Sequence, residues 1–426
     1  MKNRKSFFSI KIILFLSLFL NIYNEDIIDI IQLDSETDFR AAIKKQNNLG
    51  GSIYINTSVI NIKTDLTLEL KGEIPGGIIG IKQKNGEYPR INFENVRNIG
   101  AFYTLNVYGS NKYLKYLIFE NSPVHGIKVS GKNHYFDHII TRYNQYSGIY
   151  ISNAADSNIF NHCYSYRNCD IKGNGLNGDG FYSYGATNNV FKYCYSWDNS
   201  NNGFSVSNHE LESSSMSFSH SACWNNGNSD IFSGKYDYDN GNLLDKNMLT
   251  IQQLINSDKN YENNYNKKKF NYENGKIDGK NANEWISLTS QRSKGNGFQF
   301  GFAYSPAPST IQRMAELSVA FDHKSKGFDN NYSKKYQGYI TNCASFNNKI
   351  NYQLPYTFAK WDNNWGWGAK EADQKEMEQI INKPNKTGAA QSLFYSVRNQ
   401  IIQAVYSNTF PDNINFDSSI KSLNLN

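Results

Sequence analysis

One unit recurs along the middle of this chain, and its length constrains the fold more than any other feature. The unit is an aromatic residue, an Asn within the next two positions, a few polar residues, then Gly followed by an apolar residue. It runs Phe119–Asn121 with Gly126-Ile127, Tyr143-Asn144 with Gly148-Ile149, Tyr166–Asn168 with Gly180-Phe181, and Trp197–Asn199 with Gly203-Phe204. Trp224–Asn226 continues the series, and Gly297-Phe298 closes that turn after a long insertion. Phe321–His323, which lacks the Asn, follows with Gly327-Phe328, and Phe346–Asn348 ends it. The marker glycines at 126, 148, 180, 203, 297 and 327 give a bare spacing of 22 or 23 residues; the gaps of 32, 94 and 30 are that unit with added loop.

Such a unit is too short for a helical hairpin. It carries alternating patterns such as Ile127-Lys128-Val129 and Ile149-Tyr150-Ile151 instead of a helical period. Short strands joined by Asn and Gly turns at this period predict the coils of an all-β parallel β-helix, with neighbouring strands about 4.8 Å apart and like residues stacked in columns. A leucine-rich solenoid is disfavoured, because no frame of spaced leucines recurs. Cys163, Cys194 and Cys343 hold one place relative to the aromatic residue, as a buried column would. The Asn positions form a second column, whose amides can bond between coils and satisfy turn backbone.

Outside the repeats, Lys2, Arg4 and Lys5 precede an apolar stretch from Phe7 to Leu20, so residues 1–24 read as a secretory signal and the protein as extracellular; an uncleaved anchor is the alternative. Residues 25–366 form the expected β-helix domain. Within it, residues 37–47 are an amphipathic helix suited to capping the core, and residues 228–290 are a lateral excursion. Residues 367–426 form an extension whose 370–405 stretch has a helical pattern and is expected to pack on the solenoid. Without residues 1–24 the formal charge falls from +6 to roughly +2, four cations being lost, so charge gives no case for nucleic-acid binding. The five cysteines form no Cys-x-x-Cys pair, which argues against thiolate metal sites; Cys163 and Cys169 are close enough in sequence to bridge locally in an oxidising compartment.

Several segments resemble the family-nine polysaccharide lyases. They are Tyr164–Asp170, Gly178–Phe181, Cys194–Ser200 and Ser318–Asn330, with Gly72–Gly77 and Tyr88–Phe93 nearer the N-terminus. The resemblance covers roughly residues 50–355, and Lys324–Asp329 (Lys-Ser-Lys-Gly-Phe-Asp) is its most specific part. It implies a right-handed β-helix of about ten coils and calcium-assisted β-elimination on a galacturonate-type acidic polysaccharide. Calcium would neutralise the uronate carboxylate and stabilise the enolate-like transition state. The family's base is a lysine that matches Lys326, and Lys324 is a neighbouring cation able to tune it. Without the resemblance, Lys326 reads as a solvated turn lysine.

The metal positions matching the family are Asp179, Asn201, Asn202 and Ser205. The last three replace aspartates of the family pattern, so Ca2+ binding is expected to be weak or lost. Tyr184 stands where the family has a lysine. Asp170 and Asp198 lie close enough in sequence to be considered as compensating carboxylates, and each reads equally well as a turn residue. Arg292, Lys294, Lys324, Lys334 and Lys335 are the candidate substrate-binding cations, and the aromatics are assigned first to packing.

Two functions follow from these features: a secreted, monomeric polysaccharide lyase, or a non-catalytic β-helix that binds an acidic cell-surface polysaccharide. A glycosidase on the same fold lacks its paired carboxylates and Gly-His-Gly signature. Asn56, Asn331 and Asn385 lie in glycosylation sequons. The enzymatic reading requires the coils to bring Lys326 alongside Asp179.

Overall fold

The computed structural model describes residues 27–96, 103–170, 175–207, 215–227, 295–301, 312–330, 337–354, 358–362 and 364–370, with short pieces of the excursion and of the C-terminal segment. The chain winds as a parallel β-helix. One face is a sheet of nine parallel strands: β1 (Leu68–Leu70), β2 (Tyr103–Val107), β3 (His125–Lys132), β4 (Ile149–Asp156), β5 (Phe181–Tyr184), β6 (Phe204–Ser207), β7 (Phe298–Gln299), β8 (Lys326–Asp329) and β9 (Ile350–Gln353). Two further series of parallel strands form the other faces. They are joined through the long strands Lys112–Glu120 and Tyr135–Arg142, which turn at Tyr116 and His138 (φ 57° and 52°).

Register is set by what each coil points inward. Phe181, Phe204, Phe298, Phe328 and Tyr352 are buried and stacked, with successive ring centroids 4.9, 4.9, 4.9 and 5.3 Å apart. A one-residue slip would turn this whole row outward. Phe204 pairs directly with Phe298. The excursion between them therefore leaves and rejoins the solenoid on consecutive coils, as the glycine spacing predicts. The described parts of the excursion are two short antiparallel pairs, Glu262–Asn263 with Lys268–Lys269 and Tyr272–Glu273 with Lys276–Ile277.

Polar columns accompany the apolar ones. The Nδ2 of Asn144, Asn168 and Asn199 donates to the Oδ1 of Asn168, Asn199 and Asn226 at 2.8, 2.9 and 3.0 Å, and each acceptor also takes the backbone N–H of the donor residue. The residue before each Asn sits in the left-handed region, so the column closes a turn one residue tight. The coil that lacks Asn does not break the column. His323 Nδ1 accepts from Asn226 N–H at 3.3 Å, and His323 N–H donates to Asn348 Oδ1 at 2.8 Å.

Cys163, Cys194 and Cys343 do occupy one buried column, in which Ser221 and Ser318 stand between Cys194 and Cys343. All five thiols are free and buried, so the local bridge between Cys163 and Cys169 is not formed.

The first coil is covered by α1 (Glu36–Leu49), close to the 37–47 expected. Ser35 caps it, and its side chain accepts from Asp38 N–H; Phe39, Ala42 and Ile43 enter the core. At the far end, Ser392, Ser396 and Arg398–Gln400 are helical. Arg398 pairs with Asp322 at 2.8 Å and lies over the Phe321 ring, so the extension meets the solenoid at this residue. No helix among the described residues is long and apolar enough to cross a membrane. Residues 1–24 lie outside the described residues.

Candidate functional site

The residue before each marker glycine forms a column along one edge of the nine-stranded sheet: His125, Ser147, Asp179, Asn202, Asn296 and Lys326. The N–H of Gly126, Gly148, Gly180, Gly203 and Gly297 donates to the carbonyl of Ser147, Asp179, Asn202, Asn296 and Lys326 respectively, at 3.2, 3.1, 3.0, 2.9 and 2.8 Å. The residue two after each glycine forms a second, outward column: Lys128, Tyr150, Tyr182, Ser205, Gln299 and Asp329. Glycine is needed between them because the neighbouring face presses close. A Cβ on Gly180 would stand 1.8 Å from Ser196 Oγ, which donates to Gly203 O at 2.8 Å.

The two columns are tied by side chains. Asp179 Oδ1 accepts from Asn201 Nδ2 at 2.9 Å and from Asn202 N–H at 2.8 Å. Asn202 Nδ2 donates to Gln299 Oε1 at 2.7 Å, and Asn202 Oδ1 accepts Asn296 N–H at 3.1 Å. Ser205 Oγ reaches the same Gln299 oxygen at 3.4 Å. Asn296 then joins the last coil: its Oδ1 accepts Lys326 N–H at 3.2 Å, and its Nδ2 faces Asp329 Oδ2 at 3.3 Å. Lys326 Nζ pairs with Asp329 Oδ1 at 3.1 Å, the lysine side chain 16% exposed and the carboxylate 1%. Lys326 therefore reaches solvent while its partner does not.

Asp179 and Lys326 are on one side of the molecule and in one column, but not alongside each other. Three strand steps separate them, about 14 Å at the spacing of paired strands. The Asn201 side chain and the Asn202 backbone N–H reach Asp179, whereas the Asn202 side chain and Ser205 meet at Gln299 instead. Lys324 is exposed in the turn before β8, and partial desolvation of its stem lowers its pKa below the ordinary lysine value. Arg292, Lys294, Lys334 and Lys335 lie outside the described residues. Asp198 is not part of the site. It turns to Arg167 (3.4 Å) and Asn225 on another corner, where burial lifts its pKa to about 6 in spite of the arginine. Asp170 accepts from Asn177 Nδ2 at 2.6 Å.

Sequence reasoning missed Asn296, Gln299 and Asp329 as members of the site. The signal was present: all three occupy the positions flanking a marker glycine that Asp179, Ser205 and Lys326 occupy in their own coils.

A calcium ion needs several oxygens turned toward one point. Here the candidate donors are turned toward one another. Asn202 cannot flip its amide, because Asn296 N–H requires the oxygen. Asn201 Nδ2 is fixed by two oxygens, Asp179 Oδ1 and Leu176 O at 2.6 Å. As arranged, these residues do not fit a calcium cage.

Stacked parallel sheets bearing a polar column on one edge define a right-handed parallel β-helix protein. The family described as Pel9A-like, right handed beta helix region, matches residues 32–364, and the chain belongs to it. Among solved structures, pectate lyase Pel9A is similar at 20% identity and a TM-score of 0.57, over 82% of this chain and 78% of that one. A rhamnogalacturonan lyase is similar at 17% identity and a TM-score of 0.52, over 84% and 85%. No protein of curated function matches the chain.

Proposed function

We propose that the protein is a secreted, monomeric polysaccharide lyase that cleaves an acidic, galacturonate-type chain along the Asp179–Lys326 column. The observation that carries this is Lys326 itself, in the Lys324–Asp329 stretch, with its amine at the surface and a buried carboxylate behind it. The proposed step uses the Lys326 amine in its free-base form, its proton having gone to solvent at alkaline pH, to accept the C5 proton of a uronate unit. The C5–H electron pair forms the C4–C5 double bond, the C4–O bond breaks, and the departing sugar oxygen takes a proton from water. Lys324 and the cations at Arg292, Lys294, Lys334 and Lys335 are the groups proposed to hold substrate carboxylates. Two lyases of related fold support the substrate class.

The experiment is incubation with polygalacturonate at alkaline pH, following the absorbance of the unsaturated product. Lys326→Ala is expected to lower the rate by about 10²–10⁴-fold, the usual worth of a positioned base. An equal rise in wild type and variant would remove Lys326 from its role. The uncharged side chains at Asn201, Asn202 and Ser205 favour a second reading, a polysaccharide-binding protein without catalysis. In that case wild type gives no absorbance change yet is retarded in gels containing polygalacturonate.

A further inference from the structure

The site resembles a calcium centre in position but not in chemistry. Each carboxylate in it is already compensated by the protein. Asp179 receives two N–H groups, one from the Asn201 side chain and one from the Asn202 backbone. Asp329 receives the Lys326 ammonium on one oxygen and the Asn296 amide on the other. The two carboxylates are three coils apart, about 14 Å, whereas calcium holds its oxygens within about 2.6 Å. No single ion can serve both. Among the described residues the side chains bonded between them are amides and a hydroxyl, and the orientation of the amides is set by backbone partners, Leu176 O and Asn296 N–H.

We propose that this column is assembled without a divalent cation, and that Asn201, Asn202 and Ser205 are the side chains that keep calcium out. An N–H turned to Asp179 takes the place a cation would hold there: it stabilises the carboxylate charge by hydrogen bonding and locks one coil to the next. The inference concerns how the site is built and does not depend on whether the protein is a lyase.

The test is calcium binding to the full-length protein after dialysis against EDTA, read by calorimetric titration with CaCl2 and by the melting temperature in CaCl2 against MgCl2. Wild type is expected to give no saturable heat and no rise in melting temperature beyond that in MgCl2. The triple variant Asn201→Asp/Asn202→Asp/Ser205→Asp is expected to acquire both. A saturable, calcium-specific rise in wild type that Asp179→Asn abolishes would overturn the proposal. So would a folded triple variant, verified by circular dichroism, that still ignores calcium. If the triple variant does not fold, Asn201→Asp/Ser205→Asp carries the same comparison. Failure of the lyase reading would show in the absorbance assay and leave these measurements unchanged.

Discussion

His323 shows how a single side chain can keep a column intact and change its response to pH. Its Nδ1 replaces an asparagine oxygen as acceptor for Asn226 N–H, while Nε2–H donates to Cys223 O at 3.1 Å. Both nitrogens are used by the neutral ring, and full burial lowers its pKa to about 3. An unfolded histidine titrates near 6.5, so between pH 6.5 and 3 the unfolded chain binds more protons than the native one. The stability that His323 contributes is therefore complete above pH 6.5 and is lost as pH falls through that window. His323→Asn restores the amide of the neighbouring coils. It is expected to change stability little at pH 7 and to recover about 2 kcal/mol at pH 5 relative to wild type. Urea unfolding at the two pH values measures this, and an equal effect at both would refute it. Sequence reading registered His323 as a missing Asn. That an imidazole nitrogen can occupy the position of an amide oxygen was decided by geometry.

At the scale of the element, the coil corner sets the site. The marker glycines were legible in the sequence, but their reason was not. Gly180 faces Ser196, and a methyl group there would meet Ser196 Oγ at 1.8 Å and Gly203 O at 2.7 Å. Gly180→Ala is expected to destabilise by about 1–3 kcal/mol, the usual cost of overpacking. Ser196→Gly in the same chain should return part of it, since the backbone contact remains. A double-mutant cycle in denaturant checks this, and strict additivity would exclude the Ser196 contact as the cause. The same corner explains why Asp179, Asn202, Asn296 and Lys326 align. Asp179, Asn202 and Asn296 each precede a glycine whose N–H bonds to the next coil, and all four are followed, after the glycine, by a core aromatic that fixes register. Asn296 and Gln299 went unnoticed because an amide has no meaning as a site residue until its neighbours on adjacent coils are known.

For the whole molecule, the open end of the core is the exposed liability, because a solenoid coil contacts only its neighbours. α1 closes that end, and Phe39 within it is fully buried. Phe39→Ala is expected to cost about 3–5 kcal/mol and to expose the first strands to edge pairing. A lower melting temperature with soluble aggregates by size exclusion is the outcome to look for; a monodisperse variant with unchanged melting would count against a capping role. The sequence by itself determined the solenoid, its period, the cap and the place of the long excursion, since all of these follow from local alternation and repeated turn residues. Only the tertiary structure decided which residues of different coils meet. It left Asp179 three strands from Lys326, turned Asn201 toward Asp179 and Asn202 toward Gln299, and put Asp329 behind the lysine. Those relations depend on side-chain direction across hydrogen-bonded coils as many as 97 residues apart in sequence, and no local pattern encodes them.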